Sequence, residues 1–267
     1  MNKYYLVFDT ETSGLPLKIN RTLDYSNILL YQISYIKFNT RLKPCKKLNL
    51  YIDIIDYNKF IYVEKNNITE QQLKNGIKIK NFLSFYKKIL KNVKLIIGHN
   101  IDFDISILME ECKRNKEYEL LDLLLNIPKF DTMRIVHCTG LTKKIFISQE
   151  DTYNLLYNRL NNEKNNYITA HDAYDDTLHC AQIFVNLFPL WDKMILMFGN
   201  YKNKLFGETP DGYRFFFYSK KDDEIIKIKN TGYYKQNNFL DFLNWVLFYF
   251  NENSNKLTYY ENKNNNK

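Results

Sequence analysis

An α/β fold built on a mixed β-sheet is predicted by the order of the hydrophobic patterns along the chain. Three observations carry it. Residues 3–8 and 93–97 are short continuous apolar runs with the length of buried strands. Residues 28–38 end in the two-residue alternation of a strand, and from residue 79 onward helical patterns alternate with strand-like ones.

The first strand covers residues 3–8 and runs directly into Asp9; Gly14 and Pro16 then make Thr10–Arg21 a loop. A second strand is expected over residues 28–38 and a third from Leu48 to Ile55. Thr69-Glu70-Gln71-Gln72 has the S/T-x-x-E/Q form of a capping box and opens a short helix that Gly76 punctuates. Ile79, Phe82, Leu83, Tyr86, Ile89 and Leu90 fall on one helical face. Val93–Ile97 is a buried strand, from which Gly98-His99-Asn100 turns into an amphipathic helix beginning near Asp104. Phe130–Met133 reads as a further strand or strand end, and Thr152–Leu160 and Asp172–Phe188 as helices. Pro189 closes the last of these, so residues 1–189 are expected to form the α/β domain and residues 190–267 a small α+β appendage. In the appendage, Phe239–Phe250 is apolar almost all round and reads as a buried helix. The aromatic run Phe215–Tyr218 reads as strand core, and the Asn- and Lys-rich stretch from about Asn251 as disordered.

The 267 residues carry a net charge of +8, with a pI near 9.0 and a mean hydropathy of −0.45. This balance favours a polyanionic partner without identifying one, since the lysines are spread and form no dense basic tail. Four cysteines lie far apart with no CxxC pair, which argues against a zinc site or a disulfide framework and suits a reducing compartment. The amino-terminal apolar stretch is too short for a signal peptide, and no apolar run is long enough to span a membrane. The expectation is an intracellular protein, of cytoplasm or nucleus, without membrane attachment.

Three acid-bearing motifs follow one another: Phe8-Asp9-Thr10-Glu11-Thr12-Ser13-Gly14, His99-Asn100-Ile101-Asp102-Phe103-Asp104 and His171-Asp172-Ala173-Tyr174-Asp175-Asp176. Asp9 and Glu11 are two apart on a strand, so both side chains leave the same face, ~7 Å apart along the backbone. Like charges so placed repel unless a cation lies between them, and magnesium prefers carboxylate oxygens. Alone, a D-x-E would read as an exposed acidic turn; the apolar strand leading into it reverses that preference. Asp104 near a helix start is explicable by the helix dipole alone. Asp102 competes with it, Ile101 and Phe103 read as core, and His99 and Asn100 as residues that hold the turn. His171 and Asp176, five apart, would be about 140° apart on one helix. They converge if His171 lies in the loop before the helix. Asp172 can be read as an N-cap and Asp175 as a surface acid.

With these residues in place, the chain resembles the DEDDh group of 3′→5′ exonucleases, the family that includes proofreading subunits of bacterial replicases. The pattern is an acid–x–acid strand end, then H-N-x-x-F-D, then H-x-A-x-x-D, and the sequence fits all three. Gln32-Ile33, Ile68-Thr69-Glu70 with Gly76, Asp131-Thr132 and Asn154-Leu155-Leu156 extend the resemblance over residues 3–188. It implies an RNase H-like fold and two Mg²⁺ or Mn²⁺ ions held by Asp9, Glu11, Asp104 and Asp176. It also implies His171 as the base that activates the attacking water, with release of nucleoside 5′-monophosphates. Thr12 and Leu15 would lie near the 3′-terminal nucleotide, Leu15 as a stacking or wedging residue. The implied partners are single-stranded DNA or RNA 3′ ends, DNA ahead of RNA, with a polymerase or repair partner left open. An RNA-trimming enzyme and a catalytically silent nucleic-acid-binding module are the alternatives. Ser13 stands where many relatives have a second Thr, and residues 161–168 form a polar, Asn-rich loop before His171.

Phe198-Gly199-Asn200-Tyr201-Lys202-Asn203-Lys204 with Pro210-Asp211-Gly212-Tyr213 resembles an appendage found on some exonucleases, without the Trp-Leu pair that often follows its tyrosine. Lys202, Lys204 and Arg214 interleaved with Tyr201 and Tyr213 would suit phosphate contacts and base stacking. A turn-rich docking module is the equal alternative.

Overall fold

The structure, a computed structural model, describes residues 3–19, 22–144, 146–161, 172–221 and 238–265. The chain begins with β1 (Tyr4–Thr12), a small hairpin β2 (Leu17–Ile19) and β3 (Thr22–Asp24), and the long strands β4 (Leu30–Asn39) and β5 (Pro44–Asp53). After α1 (Glu70–Lys74) come β6 (Ile77–Lys78), α2 (Ile79–Leu90), β7 (Val93–Gly98), α3 (Ile101–Asn115), α4 (Tyr118–Asn126), β8 (Lys129–Asp131) and α5 (Thr132–Cys138). Helices α6 (Gln149–Asn161) and α7 (Ala173–Leu187) precede the C-terminal helices α8 (Asp211–Ser219), α9 (Phe239–Glu252) and α10 (Ser254–Asn265).

Six strands form one mixed sheet in the order β6-β5-β4-β1-β7-β8. β1 is antiparallel to β4 and parallel to β7, and the β1–β4 register sets Asp9 opposite Ser34 and Glu11 opposite Gln32. Because side chains alternate along a strand, β1 serves two cores. Tyr5 and Val7 face the cluster built with α5, α6, α7 and α9; Leu6 and Phe8 face the one built with α2, α3 and α4. Asp9 and Glu11 continue the first face beyond the apolar layer, and Thr10 continues the second. The sheet is therefore covered on both sides, as expected for an α/β protein.

The first strand extends to Thr12, so both acids of the first motif lie within it rather than after it. The segment expected as a loop is instead strand, turn and hairpin. Leu17–Ile19 pairs antiparallel with Thr22–Asp24 outside the main sheet, leaving Leu17, Ile19 and Leu23 exposed. The capping box at Thr69 is present, with its hydroxyl accepting from the Gln72 N–H and the Gln72 side chain returning to the Thr69 backbone. Gly76 follows where a Cβ would lie 2.5 Å from the Tyr51 carbonyl oxygen, a packing only glycine permits. Helix α3 starts at Ile101, three residues earlier than expected.

The C-terminal helices join the first core. Phe242, Trp245, Val246 and Phe250 of α9 pack with Tyr5, Val7 and Phe130 in one cluster. The Asn244 side chain accepts from the Lys129 N–H at 2.9 Å, occupying a backbone donor of edge strand β8. Arg134 and Asp241 form a two-armed ion pair with both bonds at 2.9 Å.

Two expectations fail here. Phe215–Tyr218 lies on helix α8, not a strand, with Phe215 stacked on Tyr260 and Tyr218 against Phe250. Residues 254–265, expected as disordered, form α10, which is seated by the Phe215–Tyr260 stack and by a 2.9 Å ion pair from Lys256 to Asp211. Among the described residues after 189, β structure is confined to the bridge between Ile195 and Leu205. No helix among the described residues is long and apolar enough to cross a membrane.

Candidate active site

The site forms where the end of β1 meets the first turn of α7. Helix α7 can come this close because its sheet-facing residues at this end are small. Ala173 is fully buried, and the Thr177 hydroxyl reaches the Ala173 carbonyl (2.6 Å) and the Ser34 carbonyl of β4 (3.3 Å). Asp172 is the N-cap, accepting from the N–H groups of Tyr174 (2.8 Å) and Asp175 (3.3 Å). Its other oxygen accepts from Gln32 Nε2 at 3.3 Å, tying the helix start to β4. One turn on, Asp176 faces the sheet.

Asp9, Glu11 and Asp176 each offer a carboxylate oxygen within 4.8 Å of the other two. Asp104 arrives from the opposite side of the sheet. Only 3% exposed, it accepts at Oδ1 from the Thr10 N–H (3.1 Å) and the Thr10 hydroxyl (2.6 Å). Residue 10 thus fixes the second-motif acid while its neighbours 9 and 11 present the first-motif pair. Asp102, its competitor, is exposed on α3.

The electrostatics follow from crowding. Burial, with the charges of Asp104, Asp176 and Glu11, holds Asp9 well above the ordinary carboxylate range. Burial and the Asp176 charge push Glu11 up to about 8, against an opposing hydrogen bond from Asn66. Burial pushes Asp104 up to about 7, against the two bonds from Thr10. Carboxylates that resist ionising together are what a divalent cation stabilises. An all-oxygen donor set of this kind fits Mg²⁺ or Mn²⁺ and lacks the nitrogen and sulfur ligands of a structural zinc site.

His99 supports the site from behind. Burial lowers its pKa to about 4, so the ring is neutral. Nε2 is 2.8 Å from the Ile147 carbonyl, which can only accept, so that nitrogen carries the proton; Nδ1 then accepts from the Thr132 hydroxyl at 2.9 Å. Asn100 acts through its backbone, in the left-handed region (φ 64°), donating its N–H to Asp131 Oδ1 at 3.0 Å. Asp131 also caps α5 through the Met133 N–H.

The remaining expected residues fare differently. His171 and residues 162–168 of the polar loop lie outside the described residues. The Thr12 hydroxyl donates to the Gly14 carbonyl (2.9 Å), so it is used within the turn. Ser13 accepts the Leu29 N–H at Oγ and donates its own N–H to the Leu29 carbonyl, closing the strand end. Leu15 is 81% exposed just beyond it. Arg214 does not face a polyanion: it is buried between Trp245 and Tyr249 and bonded to Thr209, Asp211 and the Gly207 carbonyl. The rings of Tyr201 and Tyr213 pack on each other with centroids 4.7 Å apart. Lys202 and Lys204 remain exposed.

Two supporting residues, Asn66 and Gln149, lie outside the motifs, and the supporting roles of Thr10 and Gln32, which the motif and the resemblance include, were not legible in them. Asn66, at the end of the loop after β5, donates to the Thr12 carbonyl (3.4 Å) and to Glu11. Gln149, the first residue of α6, donates through Nε2 to the backbone carbonyl of Asp176 (2.8 Å) and to its Oδ1 (3.3 Å).

A family model described as Exonuclease (RNase_T) matches residues 6–184. No curated protein matches the chain significantly. Among solved structures, Escherichia coli exonuclease I in complex with a dA16 oligonucleotide is similar with a TM-score of 0.50 and 15% identity, covering 70% of this chain and 42% of that one. Its complex with a dT13 oligonucleotide gives 0.51 and 15%, covering 71% and 43%. An exonuclease I structure described as suggesting how processivity is achieved gives 0.52 and 16%, covering 72% and 44%. This chain therefore spans less than half the length of those proteins, and at such identity the likeness shows the shared fold. By the family model over two thirds of its length, on an RNase H-like sheet, the chain belongs to the exonuclease family, of the DEDDh type.

Proposed function

We propose that this protein is a divalent-metal-dependent 3′→5′ exonuclease that releases nucleoside 5′-monophosphates from single-stranded ends, DNA in preference to RNA. The convergence of Asp9, Glu11 and Asp176 within 4.8 Å, with Asp104 tied in beside them, is the observation that carries it. Four acids held against their mutual repulsion are costly for a protein that merely binds nucleic acid. The net charge of +8 suits a polyanionic substrate.

In this reading Asp9, Glu11, Asp104 and Asp176 hold two Mg²⁺ or Mn²⁺ ions. Bound there, such ions lower the pKa of the attacking water and stabilise charge on the attacking and leaving oxygens. Thr10 keeps one Asp104 oxygen occupied and so fixes which way that carboxylate faces. His171, immediately before the Asp172 cap, takes the proton of the water as its oxygen bonds to phosphorus. The bond from phosphorus to the 3′ oxygen of the preceding nucleotide breaks in line, and that oxygen takes a proton from solvent to become a new 3′ hydroxyl. Leu15, exposed beyond the strand end, wedges against the terminal base, and the Thr12 backbone lines the same pocket. Residues 1–189 carry the chemistry, with 190–267 as an accessory segment. Four free cysteines fit a reducing intracellular compartment.

Oligonucleotides labelled at one end or the other test polarity and sugar preference together. With Mg²⁺, a 3′-terminal label should appear at once as mononucleotide and a 5′ label should give a descending ladder, faster on DNA than on matched RNA. Early mononucleotide from the 5′ label contradicts the polarity, and faster RNA degradation contradicts the sugar preference.

A further inference from the structure

We propose that Gln149 is a positioning residue for Asp176, bracing its carboxylate toward the sheet acids; this rests on the reading of those acids as a divalent-metal site. The amide is oriented unambiguously. A backbone carbonyl can only accept, so the atom 2.8 Å from the Asp176 carbonyl is the NH₂ group, and the same nitrogen reaches Asp176 Oδ1 at 3.3 Å. One donor group therefore grips the main chain and the side chain of a single residue, which fixes the side chain relative to its helix.

Gln149 is not needed to start its own helix. The Ser148 hydroxyl already accepts the Asp151 N–H (3.0 Å), and the Ser148 carbonyl accepts both the N–H and the hydroxyl of Thr152 (2.9 Å each). Its amide is directed across to α7 instead. The backbone beneath it is fixed, since the Ile147 side chain is buried in the core and its carbonyl is bonded to His99. The brace thus stands on the second motif and holds the third.

The chemistry suits the task. Asp9 and Glu11 repel Asp176, and without a restraint a single χ1 rotation relieves that repulsion by turning the carboxylate away. A neutral amide opposes this rotation without adding a positive charge that would compete with a cation. Outer partners of metal-binding carboxylates change metal affinity by about 10–100-fold when removed.

The test is a Mn²⁺ titration of the full chain, followed by the electron paramagnetic resonance signal of free Mn²⁺, for wild type, Gln149→Ala and the neutral, similarly sized Gln149→Met. Half-saturation is expected to rise about 10-fold or more in both variants, while their melting temperatures in EDTA stay near wild type. In turnover, the kcat deficit should shrink as Mn²⁺ is raised, with KM for DNA unchanged. If Gln149→Ala does not fold, the similarly sized, uncharged Gln149→Met carries the test. Variant curves within two-fold of a wild type that binds Mn²⁺ overturn the role of Gln149 and leave the metal site standing. A wild type that binds no Mn²⁺ overturns both.

Discussion

Adjacent residues of β1 act from opposite faces of the sheet. Asp9 and Glu11 point toward α7, while Thr10 points toward α3 and holds Asp104 by a backbone and a hydroxyl bond. Thr10→Val keeps the β-branched shape but removes the hydroxyl donor. It should cost about 1–3 kcal/mol at pH 8, where Asp104 is charged and left short of a partner, and lower kcat about 10-fold; denaturant melts and steady-state rates measure the two. The raised acids also set a pH dependence. Glu11 shifts from 4.5 to about 8 and Asp104 from 3.8 to about 7, so between about pH 4 and 8 the folded metal-free protein binds more protons than the unfolded chain. Its stability therefore falls as pH rises through that window. Mg²⁺ should reverse the fall, and Glu11→Gln should lessen it, gaining about 1–2 kcal/mol at pH 8 in EDTA; melting temperatures across pH 5–8.5 check both. The four acids were legible through the motifs: Asp9 and Glu11 end one apolar strand, Asp104 follows another, and Asp176 closes the H-x-A-x-x-D pattern. Their partners were not. Thr10 finds Asp104 94 residues away and Gln149 finds Asp176 27 away, distances bridged only by tertiary packing.

Among the elements, those with a clean period were readable: α2 spans the expected residues 79–90, and β4, β7 and α7 lie within one or two residues of expectation. Failures came where context overrode composition. The β2–β3 hairpin hid behind Gly14 and Pro16, which announce a turn but not the short strands after it. Phe215–Tyr218 has strand-like residues, yet Pro210 and Asp211 begin a helix that buries Phe215 against α9 and α10 and leaves Phe216 exposed. The Asn- and Lys-rich tail is ordered by a few contacts, from Tyr260 and Lys256, that its composition does not reveal. Helix α7 carries an element-scale prediction. Ala173 is fully buried where α7 lies on β1 and β4. Ala173→Leu should cost about 1–3 kcal/mol through overpacking. Because it lifts Asp176 away from Asp9 and Glu11, its activity loss at a temperature where it stays folded should exceed that of a surface variant of equal stability. Loss of activity no greater than the loss of folded protein contradicts this.

At the scale of the molecule, the C-terminal segment shares a core with the nuclease sheet. Removing residues 190–267 strips Phe242, Trp245, Val246 and Phe250 from that core and uncovers the backbone of β8. At about 1.5–3 kcal/mol per large side chain, the loss is about 6–12 kcal/mol, comparable to the whole stability of an ordinary domain. A chain ending at Pro189 should therefore be insoluble or molten by circular dichroism; a cooperative melt would show that the sheet stands without α9. The chemistry itself rests on one claim, that the acids at the junction of β1 and α7 carry out metal-dependent hydrolysis. The most direct measurement is degradation of 5′-labelled single-stranded DNA by wild type and Asp9→Ala, with Mg²⁺ and with EDTA. Shortening only by wild type and only with Mg²⁺, at least ~10³-fold faster than the variant, is the expected result, with the variant melting no lower than wild type in EDTA. Undiminished shortening by a folded Asp9→Ala protein, or by wild type in EDTA, would contradict the claim.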